Sequence, residues 1–358
     1  MVSGKTRMTT IHKVGVPSTV DGDGIGKAIA AELANLGFQP QLFPLDGPAP
    51  LGFDAFFLFG PFGKFLHVPQ QFDHLPWQDR PTFIFWNTEG FPDPRLPLTG
   101  VRAASSLRSW LGRFSHDGSA WKRRVARSRP FARLEPRLLR FRYLGDYLYA
   151  WRKGWVDVFA DISAVYAGTL QRLGIPAIPA PFGSFPEWYD CLNVERDIDV
   201  LWMGKRGSRR RSQALDQLRA ALQKHGVEIY MVDNVEHPFV FDHERTILLN
   251  RAKITLNLLR TWYDENSLRL AIAAPNRSLV VSEPLLPHVP QYQPGIHYIS
   301  APIPEMAQTI LYYLKHTDER ERIAENAYQL TTKTLTFRNA ICIMMDAAQQ
   351  SLASRGNP

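Results

Sequence analysis

The chain has 358 residues, a formal net charge of +8, 45% apolar residues and 21% charged residues. That length exceeds what one core usually holds, so two domains are expected, with the composition of a soluble globular protein. Two isolated cysteines, Cys191 and Cys342, exclude a disulfide scaffold and a cysteine-based zinc site, and no apolar run is long enough for a signal peptide or a membrane span.

Residues 1–10 read as a loose tail. Ile11–Val16 is expected as a strand and Gly26–Leu36 as a helix ending at Gly37, with Asp21-Gly-Asp-Gly-Ile-Gly-Lys27 between them. That glycine turn matches neither the dinucleotide fingerprint nor a Walker loop, but Gly24 lets backbone approach a ligand. Phe53–Phe59 and Thr82–Trp86 are continuous apolar runs, as buried parallel strands require. After the second run come Glu89 and Asp93, candidate general bases for an acceptor hydroxyl.

Arg102–Arg142 holds eleven arginines and one lysine against Asp117 and Glu135, enough to account for the whole positive excess. Trp110, Phe114, Trp121 and Phe131 are interleaved with them. The segment reads equally as a solvated basic face over a core and as an interface-seeking helix that meets an anionic membrane surface. Val156–Ile162 is a further strand and Ala164–Leu173 a helix. Ile175–Pro186, with four prolines, reads as a strand edge plus an interdomain linker.

The alternation then restarts. Strands are expected at Ile198–Met203, Val227–Val232, Ile254–Leu259, Ser278–Ser282 and His297–Ser300. Helices are expected at Gln213–His225, His243–Asn250, Ser267–Ala274, Glu305–Lys315 and Asp318–Leu330, the last with Asp318 as N-cap. The fold class is α/β, two Rossmann-like domains facing a central cleft, with ligands at the carboxyl ends of the strands. The first strand of this half runs into Gly204 and then Lys205, Arg206, Arg209, Arg210 and Arg211, a place to hold a diphosphate with arginine forks and helix-start amides. Arg269, in the first turn of the Ser267 helix, opposes the helix dipole; an anionic ligand at that helix end would give it a use, and the alternative is a surface arginine on a buried helix. His237, Asp242 and His243 match no metal-site spacing, and no metal is expected.

The segments DIDVLWMGKRGSRRRSQALDQLRAAL, ERTILLNRAKITLNLLR, SLRLAIAAPNRSLVVSEPL, PGIHYI and RERIAENAYQLTTKTLTF together resemble the nucleotide-sugar-binding domain of GT-B glycosyltransferases of the group-one type, including the spore-maturation-protein-like branch. The resemblance covers about Pro181–Met345 and is looser over 11–175. It implies residues 1–180 as an acceptor-side domain, 181–335 as the donor domain, and a last helix within 336–358 crossing back. It also implies a metal-independent transferase, without a cofactor, that moves a sugar from a UDP- or GDP-sugar to a glycan, lipid-linked or other acceptor hydroxyl. Gly204, Arg209 and Arg210 stand where the family holds the diphosphate, and Tyr263, Asn266, Ser267 and Arg269 where it contacts phosphate and ribose. One departure stands out: retaining members often carry two glutamates separated by seven residues, and Leu268-Arg-Leu-Ala-Ile-Ala lacks the second. A catalytically inactive GT-B-like protein, a nucleic-acid-binding α/β protein and a nucleotide-cofactor oxidoreductase are the alternatives. No nucleic-acid partner is expected. The expected location is the cytoplasm, with peripheral attachment to the inner membrane face as the variant.

Overall fold

The computed structural model describes residues 10–18, 24–45, 47–60, 65–117, 129–265 and 267–355, with backbone alone for 111–117 and 129–139. The chain divides into two compact units, residues 1–180 with 341–358, and residues 181–340.

The first unit holds a six-stranded parallel sheet made of β1 (Lys13–Ser18), β2 (Gln39–Pro44), β3 (Ala55–Phe59), β4 (Thr82–Asn87), β5 (Val158–Asp161) and β6 (Ala177–Pro179), in the order β2-β1-β3-β4-β5-β6. β3 and β4 are buried along their whole length, which is why both read as unbroken apolar runs. Phe56 stacks on Phe83 and Phe65 on Phe85, so aromatic rings fill this core. The helices are α1 (Ile25–Asn35), α2 (His67–Gln70), α3 (Leu98–Asp117), α4 (Arg129–Arg152) and α5 (Ala164–Arg172).

The basic segment thus becomes the helices α3 and α4, and its residues 118–128 lie outside the described residues. Where the two helices meet, a Cβ added to Gly145 would stand 1.9 Å from the Ser105 carbonyl oxygen. Next to that contact, the buried Ser109 hydroxyl donates to Asp146. Gly145→Ala must push the helices apart, an overpacking cost of about 1–3 kcal/mol. In a unit of this size that is expected to lower the melting temperature by about 2–4 °C per kcal/mol. A scanning calorimetry trace unchanged from wild type would contradict this packing.

The second unit holds β7 (Ile198–Met203), β8 (Ile229–Val232), β9 (Ala252–Asn257), β10 (Leu279–Ser282) and β11 (Ile299–Ser300), again all parallel, in the order β11-β10-β9-β7-β8. Its helices are α6 (Arg209–Gln223), α7 (Asp242–Arg251), α8 (Ser267–Ala273), α9 (Ile303–Lys315) and α10 (Thr317–Lys333), while α11 (Phe337–Ser354) runs from this unit into residues that belong with the first. Two separate apolar clusters cover the sheet, one under α6 and α9 and one under α7 and α8.

Local expectations needed three corrections. The Gln39–Pro44 strand was absent from the sequence reading, because Pro40, Pro44 and polar neighbours suit only an edge, and β2 pairs with β1 alone. α6 begins at Arg209, not Gln213, since Ser208 caps it: the Ser208 hydroxyl accepts from the Arg211 N–H at 3.2 Å. Asp318 is not the N-cap of α10; His316 holds that place and Asp318 lies in the first turn, where its charge favours the helix dipole.

Candidate functional site

Both sheets have the doubly wound order, in which the strand sequence reverses beside the first strand and opens a crevice at the carboxyl ends. In the second unit that point lies between β7 and β9. The loop after β7 carries the arginine run, and the loop after β9 carries residues 258–266.

β7 is followed by Gly204, whose φ of +134° only glycine adopts without strain. Its missing side chain matters too, because a Cβ there would lie 2.7 Å from the Arg269 guanidinium. Arg269 reaches across from the first turn of α8, lies over the Trp202 ring at 5.7 Å, and donates to the Leu258 carbonyl at 3.3 Å and to Asn257 Oδ1 at 3.4 Å. These acceptors are uncharged. Burial, then the neighbouring charges of Arg211 and Arg260, push its guanidinium down to about 9, so it still carries its charge at neutral pH.

The arginine run divides by partner. Arg206 pairs with Asp233 at 3.0 Å and Asp216 at 2.7 Å, away from β9. Arg211 is buried, donates to the Lys205 carbonyl at 3.1 Å and is held down to about 10 by burial first and Arg260 second. Arg210 forks onto the buried Glu283 and also donates to the Leu259 carbonyl at 2.8 Å. The Glu283 carboxylate accepts in addition from the Leu259 N–H at 2.7 Å, so it fixes the loop after β9. Arg209 is exposed at the first position of α6 and has no ion pair among the described residues.

Asp264 is the second buried carboxylate, accepting from the Arg260 N–H at 2.9 Å and its Nε at 3.2 Å, with Arg211 at 3.9 Å. Among the described residues, the carboxylates paired with Arg210, Arg211 and Arg260 are Asp264 and Glu283, and Arg269 has no ion pair, leaving an excess of positive charge at the switch point. Such a deficit of anions is what a bound phosphate would supply.

Of the other expected site residues, Ser267 starts α8 and its N–H donates to Glu265 at 2.6 Å. Tyr263 is partly exposed, edge-on to Trp262 at 5.5 Å. Asn266 lies outside the described residues. Glu283, Asp264 and Trp262 were missed by sequence reasoning. Glu283 had a signal, a lone acid directly after the apolar strand Leu279–Ser282. A cavity of about 490 Å³ opens beside Arg210 and Glu283, walled by Leu259, Trp262, Pro284, Leu286, Pro302 and Ile303. Its size and apolar walls with few charged groups suit a small-molecule ligand.

In the first unit the switch point lies between β1 and β3, and the loop leaving β1 leads to Gly24, which precedes α1 with φ +64°. Residues 19–23, which include the first three of the glycine turn, lie outside the described residues. Glu89 follows β4 and is partly exposed. Asp93 is partly exposed and engaged locally, accepting from the Arg95 N–H at 2.9 Å and pairing with its guanidinium at 3.1 Å. His237, considered and set aside as a metal ligand, has its ring nitrogen 2.9 Å from the Met231 carbonyl and stacks on Tyr230. Among the described residues no group of three or more His, Cys, Asp or Glu is placed to hold a metal.

The family described as "Glycosyl transferase-like" matches residues 209–346, the stretch that begins at the first arginine of α6. No curated protein matches the sequence. Among solved structures, sucrose-phosphate synthase from Thermosynechococcus elongatus is similar with 11% identity and a TM-score of 0.55, covering 96% of this chain and 100% of that one. HepE of Anabaena, solved in complex with UDP-glucose, is similar with 10% identity and a TM-score of 0.54, covering 96% and 99%. A glycosyltransferase from Rickettsia africae ESF-5 is similar with 12% identity and a TM-score of 0.51 over the same shares. At these identities the structural likeness is one of fold. Residues 209–346 thus match a glycosyl transferase-like family, and the chain as a whole shares its fold, two Rossmann-like domains, with these solved structures.

Proposed function

We propose that the protein transfers a sugar from a UDP- or GDP-sugar to an acceptor hydroxyl without a metal ion. The observation that carries this is the cluster of Arg210, Arg211, Arg260 and Arg269 at the switch point of the second sheet, paired among the described residues with the two carboxylates Asp264 and Glu283. Guanidinium groups held there in advance would take up the charge that grows on the departing diphosphate, the part a divalent cation plays elsewhere. The cavity lined by Leu259, Trp262 and Pro302 beside Arg210 is the place for the nucleoside. HepE, similar in fold, was solved with UDP-glucose, which supports a uridine donor.

If the reaction inverts the anomeric centre, a base is needed, and Glu89 is the better candidate because Asp93 is occupied by Arg95. If it retains the centre, the leaving phosphate takes the acceptor proton and no such carboxylate is required.

A thermal-shift panel of UDP, GDP, ADP, NAD and the corresponding sugars tests the reading. The right nucleoside diphosphate, at 100 times its dissociation constant, should stabilise the protein by about 2.7 kcal/mol. Indifference to every member sinks it.

For the acceptor we propose a lipid-linked or anionic glycan, with the protein peripheral on the cytoplasmic face of a membrane. Leu107 and Trp110 are exposed on α3 close to Arg102, and no helix among the described residues is long and apolar enough to cross a bilayer. Co-sedimentation with phosphatidylglycerol vesicles at low salt is expected, with release at high salt. A protein that stays in the supernatant at low salt rules the membrane part out.

A further inference from the structure

At the carboxyl end of the first sheet, two fully buried polar side chains stand opposite one another. The parallel register of β4 and β5 pairs Asn87 with Asp161. The Asn87 amide donates to Asp161 Oδ2 at 2.6 Å and, with the same nitrogen, to the Glu89 carbonyl at 2.8 Å. Its oxygen accepts from the Glu89 N–H at 3.2 Å. One side chain thus grips both backbone groups of residue 89.

Asp161 decides which way round that amide stands, because a carboxylate only accepts and must face the NH₂. The other Asp161 oxygen accepts from the Ser163 N–H at 2.8 Å, and Ser163 in turn caps α5, its hydroxyl accepting from the Tyr166 N–H at 3.1 Å. Asp161 is therefore anchored from one side by a helix start and orients Asn87 from the other. Being fully buried with both oxygens engaged, it is shut off from any acceptor, whereas Glu89 is partly exposed. Glu89 stands near enough to the buried Tyr147 hydroxyl for its charge to help raise that group, after burial itself and Asp161.

We propose that Asn87 and Asp161 are positioning residues whose task is to hold Glu89 in place as the base that takes the proton of the acceptor hydroxyl. The inference rests on the inverting form of the transferase reading, in which a base is required, and names the groups behind its first-unit carboxylate. It also separates two variants that change few atoms. Asp161→Asn would set an NH₂ against either the Ser163 N–H or the Asn87 NH₂, so the Glu89 loop loses its fixed orientation. Asn87→Ala removes the grip outright.

The test is a double-mutant cycle on the full-length protein. Nucleoside diphosphate release from UDP-, GDP- and ADP-glucose is followed with glycerol as added acceptor, and nucleotide binding is measured by calorimetry. Glu89→Gln and Asn87→Ala are each expected to lower kcat by about 100-fold, with KM for the donor and the nucleotide dissociation constant unchanged. The double variant should be no slower than Glu89→Gln alone, because Asn87 acts only through residue 89. Amide exchange at residue 89 should speed up in Asn87→Ala and in Asp161→Asn.

A Glu89→Gln variant as active as wild type, additive losses in the double variant, or unchanged exchange at residue 89 overturns the proposal. In those cases normal nucleotide binding leaves the transferase reading standing. Wild-type protein that binds no nucleotide and turns over no donor overturns both.

Discussion

Arg269→Ala is expected to weaken nucleoside diphosphate binding by about 10- to 100-fold, the loss of a charge-assisted hydrogen bond of about 1.5–3 kcal/mol. The residue is charged, partly buried and, among the described residues, hydrogen-bonded to a carbonyl and an amide oxygen and to no carboxylate, so in the free protein its charge is poorly repaid. Removing it should leave folding unharmed or slightly improved, because a desolvated cation beside Arg211 and Arg260 goes with it. Gly204→Ala provides the matching control. Its Cβ would meet the guanidinium at 2.7 Å and displace it from Trp202, while the backbone at φ +134° becomes strained by about 1–3 kcal/mol. The expected pattern is a common loss of affinity, with reduced stability only in Gly204→Ala. Isothermal calorimetry with UDP and GDP plus thermal denaturation separates the two. Full affinity in both variants would mean that Arg269 does not touch the donor.

The largest stability loss is expected from Arg355→Ala, about 3–5 kcal/mol, the usual result of breaking a buried ion pair from one side. Arg355 and Asp157 are both nearly inaccessible and pair at 2.5 Å. Arg355 also donates to the Arg80 carbonyl at 2.7 Å and lies over the Trp77 ring, so it ties the residues after α11 to the first sheet. Asp157 has a second duty, accepting from the Phe83 N–H at 2.8 Å beside β4. The variant leaves that carboxylate buried without its cation. Asp157→Asn/Arg355→Met, which removes both charges, should recover much of the loss. Urea denaturation of the single and double variants checks this. A single variant within 1 kcal/mol of wild type would show that the terminal residues are not docked this way.

Sheet type and the repeated strand–helix order were legible because buried parallel strands are apolar on both faces. Ala55–Phe59 and Thr82–Asn87 carry that signature without ambiguity. β2 was not legible, since an edge strand with Pro40 and Pro44 has neither the pattern nor the full set of donors. The arginine run was visible as a phosphate-binding candidate, but four arginines of one segment looked interchangeable. Burial and partners separate them: Arg206 belongs to Asp233, Arg210 to Glu283, Arg211 to the interior, and Arg209 to solvent.

Local chemistry in the chain determined the α/β character, the glycine after β7 and the concentration of positive charge beyond it, because each depends on residues close in sequence. What only the tertiary structure decided are the meetings across distance: Arg269 filling the space that Gly204 leaves, Glu283 clamping Arg210 to the loop after β9, and Asn87 facing Asp161. Each depends on strand order and register. Those are set by which apolar faces pack together over long separations, and no local pattern encodes them.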